Sequence, residues 1–151
     1  MLKSGILVLS LYLGIGMTVV MAGEGVTGIV AERMNLMKSM ATEMRALASM
    51  FKAPTTFDRA RVVAMSQAVA THAARVPQLF PEGSGHPPSK ASAAIWNAWA
   101  RFSGLSDDLK TTALKLKAAA AAGAEPAELK PDFDAMTNDC QACHETYRLL
   151  E

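Results

Sequence analysis

Cys140-Gln141-Ala142-Cys143-His144 lies close to the C-terminus of a 151-residue chain. Two thiols at this spacing, with an imidazole directly after the second, form the attachment signature of a c-type haem. The chemistry explains the spacing. Each thiol adds across one haem vinyl group, making two thioethers. On a helix, Cys140 and His144 stand one turn apart, and Cys143 is next to His144. The thioethers then grip the ring edge while the imidazole reaches the iron from one face.

Other readings of the motif have less support. A zinc site needs two further good ligands, and the chain offers only His72 and His86 and no other cysteine. A thioredoxin-like redox pair belongs near a βαβ pattern, which the sequence lacks. A haem-free bundle with a Cys140–Cys143 disulfide is the remote alternative.

Working outward, the N-terminus reads as an export signal. Lys3 gives a short positive start, Ile6 to Met21 is almost wholly apolar, and Val20-Met21-Ala22 suits cleavage after Ala22. Residues 1–22 are then a signal peptide, and residues 23–151 one domain. The alternative is an uncleaved membrane anchor. Against it, the apolar run is shorter than the roughly 20 residues of a spanning helix, and Gly14 and Gly16 interrupt it. The full chain has 15 Lys plus Arg and 14 Asp plus Glu. Cleavage removes Lys3 and no acid, so the mature formal charge is zero. That balance excludes a nucleic-acid binder of the basic kind.

Between the two ends the sequence predicts an all-α fold of four helices. The first spans about 27–52, with Val30, Arg33, Met37, Met40, Met44, Leu47 and Phe51 stepping by three and four. Arg33 is a charge where the pattern asks for an apolar residue. It either snorkels to water or pairs with a buried anion. The helix ends before Pro54. Thr55 or Thr56 is the expected cap of a second helix over 57–76, whose stripe is Val62, Met65, Val69, His72 and Val76. His72 reads as a packed or solvent-touching side chain.

Four prolines and two glycines make residues 77–89 a long loop, with Leu79 and Phe80 folded back on the bundle and His86 solvated. A third helix is expected over 90–122, with Trp99, Phe102, Ser106, Leu109, Ala113, Leu116 and Ala120 inward. Gly104 is a candidate kink and Gly123 a natural stop. The fourth helix starts after Pro126 or Pro131. Its stripe is Phe133, Met136, Cys140, Cys143, Tyr147 and Leu150, so both thiols lie on the face that points inward. The near-heptad period of all four stripes suits an antiparallel up-down four-helix bundle with the haem packed inside it.

These features together resemble the cytochrome c′ family, the class II c-type cytochromes, which the up-down bundle is known to serve. The resemblance rests on Arg33-x-x-x-Met37-Lys38, on Phe80-Pro81-Glu82-Gly83-Ser84, on Ile95-Trp96, and on Cys140-x-x-Cys143-His144-x-x-Tyr147-Arg148. It implies one covalent haem c held by thioethers at Cys140 and Cys143, attached after translocation, with His144 as the proximal iron ligand. Arg33 would sit by a haem propionate, and Arg148 near the proximal side of the iron. Met37 would face the open side. Many members have glutamine directly after the helix arginine; here Met34 stands there, so any polar contact made by that glutamine is lost or replaced.

The resemblance makes Met37 decisive. His/Met ligation raises the reduction potential and favours an electron carrier. The leading expectation is therefore an exported, periplasmic monohaem electron carrier with His144 and Met37 on the iron, serving periplasmic redox partners. The alternative is a five-coordinate protein in which Met37 merely crowds the open face and a diatomic gas, nitric oxide or carbon monoxide, binds the iron. Members of the family often pair through their first two helices, and Leu36 and Met50 are candidate residues for a homodimer surface. No carboxylate pair, Ser-His-Asp set or Gly-rich phosphate loop marks an enzyme.

Overall fold

The structure, a computed structural model, describes residues 27–150. The expected signal segment lies outside them. Five α-helices follow in order: α1 Gly28–Lys52, α2 Arg59–Arg75, the short α3 Ala94–Asn97, α4 Trp99–Ala121 and α5 Pro126–Tyr147. The four long helices are those of an up-down bundle. Among the described residues the only extended pairing is one antiparallel bridge, Ala91 to Arg148. None of the described helices is long and apolar enough to cross a membrane.

Helix ends follow local chemistry. Pro54–Thr56 forms a 3₁₀ turn, which moves the start of α2 past the expected caps. Asp58 is the cap, its carboxylate accepting from Arg61 N at 3.1 Å, while the Thr56 hydroxyl turns back to donate to Ala53 O. α5 begins with Pro126 in the first turn, where its missing N–H costs nothing, and the Glu128 carboxylate accepts from Glu125 N at 2.8 Å. Pro131 sits inside the helix without ending it.

The third predicted helix is divided. Lys90–Ala93 is not helical; its backbone pairs with the C-terminal end of the chain instead. Ser92 N donates to Tyr147 O and Leu149 N to Lys90 O. The break between α3 and α4 falls at Ala98, with φ −132° and ψ 46°, and Gly104 is helical. Two stripe members leave the core as a result. Trp99 is 40% exposed at the start of α4, and Leu150 is 93% exposed beyond α5.

The core follows the remaining stripe positions closely. Leu47, Val62, Val69, Ile95, Phe102, Leu116, Leu129 and Met136 are almost wholly buried. Phe102 is an aromatic hub, 4.9 Å from Phe80 and 5.4 Å from Tyr147 by ring centroids, both edge-on. Phe51 stacks on Phe133 at 5.0 Å at the other end. Leu36 and Met50, expected to offer a dimer surface, are instead 6% and 3% exposed and belong to the chain's own core. Both sit on the inward stripe side of α1.

The seams of the bundle are unequal. α2 and α4 pack most extensively, then α4 with α5 and α1 with α2, whereas α1 and α5 barely meet. The buried Ser106 hydroxyl of α4 donates to Ala73 O of α2 at 2.6 Å, a polar tie in the tightest seam.

In a denaturant titration, Phe102→Ala should cost about 3–5 kcal/mol, the usual range for emptying a buried aromatic site. Ser106→Ala should cost about 1 kcal/mol, one buried hydrogen bond.

Candidate functional site

The open seam between α1 and α5 is where the motif residues lie. Cys140 and Cys143 are free thiols, both half-buried and packed against the core. No disulfide joins them. α5 is fixed beside Cys140 by the Thr112 hydroxyl of α4, which donates to the neighbouring Asp139 carboxylate at 2.6 Å.

Two cavities meet at this point. The larger, about 830 Å³, is walled by Met37, Met40, Met44, Phe51, Leu109 and Phe133, with both cysteines and His144 on its α5 side. The smaller, about 360 Å³, is lined by Arg33, Met34 and Met37 of α1 and by Phe80 and Ser89 of the loop. Met37, Cys143, His144 and Arg148 border both. The sequence therefore brings all six expected site residues to one place: Cys140, Cys143, His144 and Arg148 on or next to α5, and Arg33 and Met37 across the seam on α1.

The two cavities differ in chemistry. Both are chiefly apolar, and the larger has charges of both signs in its lining, among them Arg45, Lys52, Asp134 and Glu145. The smaller has Arg33, Lys38, Lys90 and Arg148 in its lining and no acidic side chain. A flat apolar macrocycle that carries carboxylates would fit walls of this kind, apolar over most of their surface with cations and no acid in the smaller cavity.

Burial governs the protonation of the motif. Burial pushes the Cys140 thiol up to about 11, with the Asp139 and Cys143 charges adding to it and a backbone hydrogen bond opposing. Burial also raises Cys143. Both groups are thus neutral thiols at ordinary pH. Burial pulls His144 below its usual value, and the Arg148 charge pulls the same way. A neutral imidazole keeps a lone pair for a metal. Arg148 is the residue after α5; its N–H donates to His144 O at 3.1 Å.

Arg33 has surroundings that the stripe alone did not disclose. It is 5% exposed. Its guanidinium donates to Leu79 O, to Ser84 O and Oγ, and to Ser89 Oγ, and its plane lies 4.0 Å from the Phe80 ring centroid. Ser84 and Ser89, the side-chain partners of Arg33, were given no role in the sequence reading. The available signal was two small hydroxyls in a proline-rich loop opposite one misplaced charge. His72 is half-buried on α2 and His86 exposed in the loop, and neither lines the two cavities. Among the described residues no group of three or more His, Cys, Asp and Glu could hold a metal unaided.

Residues 28–148 match a family model described as Cytochrome C′. The chain is 35% identical over 127 residues to cytochrome c-556 of Agrobacterium tumefaciens strain II Chrys, a match covering 81% of this chain and 98% of that one. Among solved structures, cytochrome c′ of Rhodopseudomonas palustris superposes with a TM-score of 0.76 at 27% identity, covering 83% of this chain and 99% of that one. A nitric oxide complex of a point mutant of cytochrome c prime from Alcaligenes xylosoxidans gives 0.72 at 26% identity, covering 81% and 94%.

In haem-free folded protein, alkylation of Cys140 should be slow at neutral pH and rise about tenfold per pH unit until the thiol titrates near 11. Asp139→Asn should move that midpoint down, and unfolding in denaturant should return it to the ordinary cysteine range. Mass spectrometry of the modified peptide reads all three.

Proposed function

The chain belongs to the cytochrome c′ family and carries one covalent c-type haem, and on that premise we propose that it is a periplasmic haem protein whose iron, held on one side by His144, keeps an open site for a diatomic gas. Cys140 and Cys143 form the thioethers. The haem supplies a reversible ferric–ferrous couple and an iron that accepts a gas ligand. The chain's own part is to orient and to exclude. The neutral His144 presents its lone pair, Arg148 holds that end of α5 beside the smaller cavity, and the apolar wall keeps water from the ring.

The observation that carries the open-site reading is the setting of Met37. It is half-buried, packed against the core, and stands in a helix that also carries Met34, Met40, Met44 and Met50. In that company its thioether serves as a gap-filling wall of both cavities. It narrows the approach to the iron without occupying the iron. The solved nitric oxide complex of a relative supports the same reading.

A second reading is the electron carrier with Met37 on the iron. It is favoured by one observation: Met37 and His144 border the same two cavities from opposite helices. Both readings use the same haem, and both leave the chain as a binder or carrier without a catalytic constellation of its own.

Carbon monoxide separates them. The reduced wild type should bind it with a shift of the visible bands, and Met37→Ala should bind it faster. A wild type that ignores carbon monoxide beside a Met37→Ala variant that binds it would make Met37 a ligand and the protein an electron carrier. His144→Ala should retain the thioethers but change the spin state seen in the spectrum.

A further inference from the structure

Methionine is concentrated where α1 faces the open seam. Met37, Met40 and Met44 line the larger cavity, and Met34 and Met37 line the smaller. Steps of three and four keep these side chains on one side of the helix, over roughly 15 Å of its length. Met34, Met37 and Met44 are half-buried, whereas Met40 is 7% exposed. Methionines elsewhere among the described residues provide a contrast. Met50 and Met136 are 3% and 0% exposed. Met65 is half-buried on α2 and lines neither cavity. Leucine could fill the same wall. A thioether adds one property that leucine lacks: its sulfur takes an oxygen atom from a peroxide.

We propose that this methionine wall is a modification site, at which a hydroperoxide converts Met37 to its sulfoxide and so widens the approach for a gas. The inference rests on the open-site reading above, because it needs the Met37 sulfur free. The step balances without a further reactant. The O–O bond of the peroxide breaks, one oxygen forms the S=O bond and the other leaves as water. Sulfur loses two electrons and the peroxide gains them. The product is polar, and its oxygen accepts hydrogen bonds. Within two turns of Met37 on α1, the other residues of the larger cavity are Met40, Ala41 and Met44, none with a side-chain donor. In the smaller cavity Lys38 and Arg148 are exposed and can donate. A polar group without a partner on an apolar wall is unfavourable. The oxidised side chain therefore turns toward the smaller cavity and leaves the wall of the larger. Reduction of the sulfoxide restores the wall.

The test treats the ferric, haem-loaded protein with limiting hydrogen peroxide. Tandem mass spectrometry follows the gain of one oxygen at each methionine, and the carbon monoxide binding rate is measured after reduction of the iron. Met34, Met37 and Met44 should gain oxygen about tenfold faster than Met50 and Met136, in line with their access to solvent. Carbon monoxide should then bind about threefold faster, as a thinned apolar wall allows. A methionine sulfoxide reductase with a dithiol should remove the oxygen and return the binding rate to its starting value. Met37→Leu keeps the bulk without the sulfur, and its binding rate should be the same before and after peroxide. Met65→Leu should respond as the wild type does. The inference is overturned by oxygen uptake at Met37 as slow as at Met50 in a protein that binds carbon monoxide. An unchanged or slower binding rate after oxidation, or an equal response in Met37→Leu, overturns it too. Failure of the open-site reading looks different. Met37 then stays unoxidised while Met44 reacts, and the untreated protein ignores carbon monoxide, because the sulfur is held by iron; that result removes the inference along with the reading.

Discussion

A four-helix bundle is stable when each of its four seams is filled, and this chain fills three of them with its own side chains. The seam between α1 and α5 stays apart, and its facing stripes line a mostly apolar space of about 830 Å³. Apolar walls left to water are unfavourable in proportion to their area. The fold is therefore completed by a flat apolar group, and the two half-buried thiols of α5 stand at the edge where such a group can be made permanent. Covalent attachment and packing act on the same seam. The first fixes the group to one helix, and the second uses it to hold the other helix in place.

How much of this could be read from the sequence depended on whether a residue's role was local. The stripe of α1 and the inward face of α5 up to Tyr147 rest on short-range spacing, and those positions are buried or half-buried, whereas in α2 the buried face runs through Ser66, Ala70 and Ala73 and leaves Met65 and His72 at its edge. The break in the third helix did not show itself, because Lys90–Ala93 is drawn away by backbone pairing with residues 147–149, a contact far along the chain. Trp99 lost its core position for the same reason: shifting the start of α4 turns it outward. The second helix's cap was misplaced by two residues because a 3₁₀ turn consumed Pro54–Thr56. Leu36 and Met50 show a different limit. Apolar residues beside a stripe look the same in sequence whether a partner or the chain's own core covers them.

Arg33 illustrates both sides. Its position in an apolar stripe announced something unusual, and the charge suggested an anion. The structure surrounds its guanidinium with neutral oxygens and an aromatic face. Buried cations can be satisfied by carbonyl and hydroxyl dipoles when the count of acceptors matches the count of donors. That match depends on where a loop places Leu79, Ser84 and Ser89, which spacing alone does not encode.

The bridge between Ala91 and Arg148 joins positions 57 apart in the chain, and it bears on the order of assembly. Contacts of such long sequence separation form only when both partners are available, so this bridge waits on the residue that follows α5. The helix that carries the two thiols is the last among the described residues. A portion of the chain that stops before α5 has the loop and its arginine but not the facing helix, so both cavities need α1 and α5 together.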